Sequence, residues 1–403
     1  MTTGTDDHFD EGIGAHAVAL LEELCAISSP SGHEAGLLRM AQRFGLELES
    51  HGLGCEVIHE PNGAGGTDPV LVARGGKAER DLILFLGHLD TVLPATATRR
   101  DGDRLFGTGA LDMKGGLVAF AAALALLRKR GFAPAKDLVF VGTPDEEASG
   151  TIAERLTRQW GARSRLILVL EPGEPREDGE TIVVGRRGLT EWRLEIRGTP
   201  AHSGLAYWTG RSALAAAADW CGHAQNMSRP GLGATVNVAR LVAGDADFVL
   251  QLERHHDLLG TSRRRNVIPD HALADGEIRF LSSRDRERTL RRLQALADRV
   301  AELHDVEVEL ATGTTFPPVT PRGAGAQLVD RALAMTSQRG WTLHVEKDRG
   351  GISFPNYLDG DIDIPVLDGL GPVGDGMHTR EEQLDLRSLR RRIVLLADLL
   401  PTL

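Results

Sequence analysis

The chain predicts an α/β fold: a doubly wound, mixed but mostly parallel sheet that carries an inserted ferredoxin-like α+β domain. Three observations lead there. Through the first 185 residues, apolar runs of strand length alternate with helical periodicities. At Gly185-Arg186-Arg187-Gly188 the order changes to strand, helix, strand, strand, helix, strand, the ferredoxin-like unit. At 403 residues the chain is also longer than a single core sustains, so two domains are expected. Residues 1–185 with 314–403 form the first, and 186–313 the second.

The elements follow in order. Residues 15–29 show helical periodicity, and PSGHE at 30–34 is a turn with a helix start. Strands are expected at 54–59, 69–74, 82–87, 137–143 and 165–170, with a long helix at 114–130 entered through glycines. The insert supplies strand 189–197, helix 211–225, strands 233–242 and 271–281, helix 284–303 and strand 305–311. A helix at 326–339, a short strand at 364–367 and an amphipathic helix at 384–400 complete the first domain.

Bulk properties exclude several functions. The net charge of −11 opposes a nucleic-acid binder that works by neutralising phosphates. That charge is uneven: residues 186–313 hold 18 basic and 17 acidic side chains, so the excess acid lies in the other domain. Cys25, Cys55 and Cys221 are scattered and lack CxxC spacing, so neither a disulfide framework nor a thiolate zinc site is expected. The acidic N-terminus has no secretory pattern, and the apolar run 117–127 is shorter than a bilayer span. A cytoplasmic protein without a membrane partner is expected.

Chemistry gathers at the ends of apolar runs. GHLDTV presents His88 and Asp90, GTGALDMKGG Asp112, TPDEEASG Asp145, Glu146 and Glu147, LILVLEP Glu171, and GDGMHTREE His378. Parallel sheets place ligands at the carboxyl ends of their strands. Each segment alone has a plainer explanation: a satisfied histidine, or a solvated acidic run. Together, two histidines and three carboxylates suit paired zinc ions, whose charges three carboxylates and a hydroxide would balance. One carboxylate must then stay free as a general base, and the adjacent Glu146 and Glu147 offer one ligand and one base. GTG at 107–109 does not complete GxGxxG, and HEAGL at 33–37 lacks the second histidine of HExxH.

The motifs SPSGHE, GHLDTV, GTGALDMKGG, TPDEE, GTPAHSG, NVIPD followed by an arginine, and DGLGPVGDGMHTREE span nearly the whole chain. In that order they resemble the dinuclear-zinc metallopeptidase family of glutamate carboxypeptidase, acetylornithine deacetylase and succinyl-diaminopimelate desuccinylase. The glutamate carboxypeptidase branch is the most similar. The resemblance implies a zinc-exopeptidase sheet with the insert as lid and dimerisation domain. It implies two Zn2+ per chain, with Co2+ or Mn2+ as substitutes. Asp112 would bridge them, His88 and Glu171 would hold one, and Glu147 and His378 the other. Asp90 would orient His88, and Glu146 would be the general base. A cis peptide at Asp112–Met113 is also implied. His202 would stabilise the oxyanion, while Asn266, Arg279 and Gly351 would bind the substrate and its carboxylate.

Two departures stand out. Relatives carry GGxSDxN where this chain reads GGISFPN, so Phe354 and Pro355 put the pocket lining near His378 in question. Residues 244–265 carry an insertion before NVIPD, with Arg263, Arg264 and Arg265 as a further anion contact or a surface loop. The expected function is zinc-dependent hydrolysis of an amide in an N-acylated amino acid or small peptide with a free carboxylate, by a homodimer. N-acyl amino acid deacylation is the close rival. A metal-dead dimeric binding module is the rival of another class, opposed by the intact ligand set and Glu146.

Overall fold

The computed structural model describes residues 10–403 except 149, 230, 232, 256–265, 321–322 and 359–363. It divides into two compact units: Met1–Arg186 with Thr320–Arg349 and Ser353–Leu403, and Arg187–Val319 with Gly350–Ile352.

The first unit is built on a six-stranded sheet. Its spatial order is Gly54–Pro61, Thr67–Arg74, Leu138–Thr143, Leu82–His88, Ser164–Val169 and Val366–Leu367. The first two pairings are antiparallel and the remaining three parallel, giving the mixed, mostly parallel sheet expected. Leu82–His88 lies inside the sheet with a parallel neighbour on each side, and all seven of its residues are buried. Continuous apolar sequence is what burial on both faces demands. It delivers His88 to the carboxyl edge.

The glycines that open the helix Gly115–Lys129 have a packing reason. A Cβ on Gly116 would sit 1.9 Å from the Leu170 carbonyl oxygen, and one on Gly87 2.7 Å from Leu117 Cδ2. The helix therefore meets backbone at Leu170 and lays the Leu117 side chain over Gly87, where two ligand-bearing strands end. Ala110–Lys129 is the one stretch among the described residues long and apolar enough to cross a membrane, and 94% of its 18-residue apolar window is buried inside the protein as a core helix. The isolated run at 117–127 understated its length.

Several elements escape the sequence pattern. Helix Thr151–Gly161 follows the TPDEE segment unannounced, whereas helix Glu34–Ser50 begins at the start expected at PSGHE. Two minor sheets are made of short strands: Thr342–Glu346, Gly179–Val183 and Pro175–Arg176 in one, and Gly374–Asp375, Gln383–Asp385, Arg104–Phe106 and Arg99–Asp101 in the other. All but Thr342–Glu346 and Gly179–Val183 are two or three residues long, too short to show a period.

The second unit is a four-stranded antiparallel sheet in the order Ala234–Gly244, His271–Phe280, Gly188–Arg197, Glu307–Phe316. Helices Ala213–Gln225 and Ser283–His304 pack on it, with Trp192 and Trp220 5.0 Å apart in their core. The last strand runs to Phe316, past the expected residue 311. Part of the insertion is helical, Ala246–His255. Residues 256–265, with Arg263, Arg264 and Arg265, lie outside the described residues.

Candidate metal centre

Five segments of the first unit converge, as a doubly wound sheet requires. The Asp112 carboxylate lies at their centre. Its Oδ1 is 3.1 Å from His88 Nε2, and its Oδ2 is 3.3 Å from His378 Nε2. Glu147 Oε2 is 3.0 Å from the same nitrogen of His378, and Glu171 Oε1 3.9 Å from His88 Nε2. Donor atoms of His88, Glu146 and Glu171 fall within 4.8 Å of one another, as do those of His88, Asp112 and Glu147. All six side chains singled out in the sequence as ligands or base therefore meet in one place. The Asp112–Met113 peptide is cis. His378 adopts φ 63°, a strained value of the kind that clusters at functional sites.

Asp90 has more duties than orienting a histidine. His88 Nδ1 is 3.0 Å from the Asp90 backbone oxygen and 3.4 Å from its carboxylate. The carboxylate accepts from Ser31 Oγ at 2.6 Å and from the backbone N–H groups of Glu146 and Glu147 at 3.3 and 3.1 Å. One buried anion thus ties the histidine strand to the segment that carries both glutamates. Asp145 belongs to neither: its oxygens accept from Ile152 and Ala153 N–H, both at 2.9 Å, at the start of the following helix. Ser353 Oγ donates to Glu171 Oε1 at 2.9 Å. Ser31 and Ser353 lay inside the quoted motifs, but nothing in their spacing marked them as partners of Asp90 and Glu171.

Phe354, the departure seen in the sequence, is fully buried, with its ring centroid 6.5 Å from that of His88. Pro355 is buried in the same turn, Phe354–Tyr357.

Burial dominates the electrostatics. Glu146 is pushed well above the ordinary carboxylate range, first by desolvation and then by the neighbouring charge of Glu171. Desolvation, then the Asp112 charge, raises Glu171 to about 7, and buried Arg186, paired with Asp368 at 2.6 Å, offsets part of the rise. Desolvation also raises Glu147. For His88 desolvation opposes the proton, but hydrogen bonds to Asp112 and Asp90 outweigh it and the pKa lies well above 6.5. Hydrogen bonds to Asp112 and then Glu147 lift His378 to about 10. Protons and imidazolium are here doing part of what cations would do. Glu147 Oε1 is buried with no hydrogen-bond partner among the described residues. A crowd of nitrogen and oxygen donors with an orphaned carboxylate oxygen fits hard or borderline divalent cations.

The remaining predicted residues lie in the second unit. His202 Nδ1 accepts from the backbone N–H groups of Gly204 and Leu205 at 3.1 and 3.2 Å, and Nε2 is 3.4 Å from Asn266 Nδ2. An accepting Nδ1 leaves the neutral ring its proton on Nε2. The Arg279 fork is taken in this structure: Nε and Nη2 donate to the two oxygens of Glu277 at 3.0 and 3.1 Å, and Nη1 to Gly350 O at 3.1 Å. Gly351 is exposed beside that carbonyl.

Comparison with known proteins agrees with this arrangement. The family model described as peptidase family M20/M25/M40 matches residues 84–402. Carboxypeptidase G2 of Pseudomonas sp. (strain RS-16) is 26% identical over 392 residues, covering 95% of this chain and 88% of its own. Succinyl-diaminopimelate desuccinylase of Delftia acidovorans is 30% identical over 387 residues, covering 92% and 93%. Among solved structures, aminopeptidase PepT from Bacillus cereus superposes with a TM-score of 0.76 at 21% identity, covering 96% of this chain and 98% of its own. A dinuclear metal-binding peptidase of Bacillus subtilis gives 0.68 at 18% identity, covering 97% and 98%. The two structures share the fold.

Proposed function

The chain belongs to peptidase family M20/M25/M40 and is a metallohydrolase, and from that premise we propose that it cleaves the amide bond of an N-acylated amino acid or small peptide bearing a free carboxylate. Glutamate carboxypeptidase-like hydrolysis is the leading form. The observation that carries the proposal is the Asp112 carboxylate, with one oxygen toward each histidine, the disposition of a ligand shared by two cations. Two Zn2+ per chain is our assignment, held by His88 and Glu171 on one side, Glu147 and His378 on the other, and Asp112 between. Bound there, the cations would polarise the scissile carbonyl and acidify the attacking water.

Glu146 is assigned the proton. Half-buried beside the other carboxylates and of raised basicity, it takes a proton from water as the oxygen attacks the carbonyl carbon. It then gives that proton to the nitrogen as the C–N bond breaks, leaving a carboxylic acid and an amine. His202, whose Nε2 lies 3.4 Å from Asn266 Nδ2, is assigned to the developing oxyanion. Asn266, Arg279 and Gly351 are assigned to the substrate carboxylate, and the second unit to dimerisation. Exposed Leu205, Tyr207 and Trp208 in that unit support a face made to be covered.

Deacylation of an N-acyl amino acid is the second reading, favoured by the 30% identity with the desuccinylase against 26% with the carboxypeptidase. A panel of N-acyl amino acids and dipeptides, each with its carboxamide counterpart, tests both on zinc-loaded protein. Turnover confined to free acids is expected; equal turnover of acid and amide would overturn carboxylate recognition.

A further inference from the structure

The acidic run after His378 ends one of the quoted motifs on a residue that was given no role there, Glu382. Glu382 is only 4% exposed. Its Oε2 accepts from Gly109 N–H at 2.8 Å, and its Oε1 from Leu111 and Asp112 N–H, both at 2.9 Å. Three backbone donors of one short segment thus close on a single carboxylate, the strong, charge-assisted form of hydrogen bond. The segment is the irregular turn Ala110–Lys114, where Asp112 and Met113 leave helical angles. It makes few regular backbone bonds to fix it otherwise.

The same stretch of chain carries His378. Strands Gly374–Asp375 and Gln383–Asp385 pair antiparallel, so residues 376–382 form the tip of a hairpin, and the ladder continues onto Arg104–Phe106. Gly107 N–H donates to the Glu382 backbone oxygen at 3.1 Å, extending that ladder to the mouth of the turn. On the other side Lys114, 1% exposed, donates Nζ to Leu24 O and Ile27 O at 3.0 and 2.9 Å, anchoring the turn to the end of helix Glu11–Ala26. The turn that carries Asp112 is held between the buried carboxyl group of Glu382 and the buried side chain of Lys114.

We infer that Glu382 is a positioning residue for the metal centre: it fixes the backbone of Asp112 relative to His378, and so sets the separation of ligands on which both cations depend. The inference rests on the two-metal assignment above. A carboxylate is required here because two acceptor oxygens must serve three N–H groups. Glu382→Gln keeps the volume but turns one acceptor into a donor that faces an N–H.

The test is a Zn2+ titration of metal-free full-length protein against a chromogenic chelator, comparing wild type, Glu382→Gln and Leu395→Ala. Leu395 is buried in the C-terminal helix Leu386–Leu399, which carries none of the assigned ligands, so its truncation lowers stability without removing a ligand. Glu382→Gln is expected to weaken metal binding about 10–100-fold, the usual range for residues that orient ligands, and to alter the visible spectrum of the Co2+ form. Leu395→Ala is expected to melt earlier and to bind as wild type does. If Glu382→Gln does not fold, Glu382→Asp, which withdraws the anion by one methylene, takes its place in the same titration. Wild-type affinity in the folded variant overturns the inference and leaves the two-metal assignment intact, as does equal weakening in Leu395→Ala. A wild type that takes up fewer than two ions overturns both.

Discussion

The two candidate sites of this chain are built on opposite principles. In the first unit the residues that matter are mostly buried and hold one another: Asp112 lies between two histidines, Asp90 collects a hydroxyl and two backbone N–H groups, and Ser353 serves Glu171. In the second, His202 and Asn266 lie toward solvent, held by local backbone or by each other, and Arg279 spends its fork on Glu277. A buried charge is costly unless paired, so the first cluster is organised in advance and its members fail together. The second is a set of side chains with replaceable partners, whose losses should be separable and smaller.

The strongest way to break that contrast is at Asp112. Asp112→Ala leaves both histidines without their common anion, so both metals and all turnover above background should be lost. Elemental analysis that finds one tightly bound ion in the variant ends the claim of a shared ligand. Glu146→Gln sharpens it from within the same cluster. As a base and not a ligand, Glu146 should be dispensable for metal content, while kcat falls roughly 10²–10⁴-fold, the usual contribution of proton transfer. Loss of metal together with rate would make Glu146 a ligand.

How much of this was legible in the sequence follows from the same contrast. His88 and Glu171 could be found because strand ends punctuate apolar runs, and because parallel inner strands bring those ends together; Asp112 in the irregular turn Ala110–Lys114 and His378 at a hairpin tip lie off those strands, and only the motifs marked them. Glu382 could not: in HTREE it looks like any solvated acid, and its burial depends on a hairpin whose strands are two and three residues long. Phe354 was visible as a departure, yet its place near His88 depends on a turn that sequence spacing does not fix. Arg279 could be read as a substrate fork or as half of a strand-face salt bridge, and the sequence did not single out Glu277, two residues earlier on the same face, as the partner.

His202→Ala comes next in size. A donor that meets charge only in the transition state lowers kcat by about 10²–10³ when removed and leaves KM nearly unchanged. An unchanged kcat removes His202 from the chemistry.

Protons offer a milder test of the buried cluster. In the metal-free protein His378 titrates near 10, so at pH 7 it carries a proton that a metal must displace. Zinc affinity should therefore rise with pH toward 10, by roughly tenfold per unit for each proton displaced. Calorimetry in buffers of different ionisation enthalpy should register proton release at pH 7. The sign for stability is opposite. A histidine raised from 6.5 to about 10 on folding stabilises the metal-free protein fully below 6.5, and that contribution is lost as pH rises through 10. Metal uptake without proton release would mean that His378 is not a ligand.

The smallest effect tests the replaceable partner directly. Arg279 and Glu277 are each about one-quarter to one-third exposed, and pairs of that kind are worth on the order of 0–1 kcal/mol. If a substrate carboxylate must displace Glu277 from the fork, removing that competitor should help binding by no more than the pair is worth, about fivefold at most. Glu277→Gln is therefore expected to lower KM for free-acid substrates by up to about fivefold, to leave kcat unchanged and to have no effect on carboxamide substrates. Arg279→Lys should act in the other direction on the same substrates, because an ammonium keeps the charge without the two-pronged geometry. A rise in KM for acids in Glu277→Gln would show that Glu277 holds Arg279 in place for the substrate and does not compete with it, and the second site would then be as organised in advance as the first.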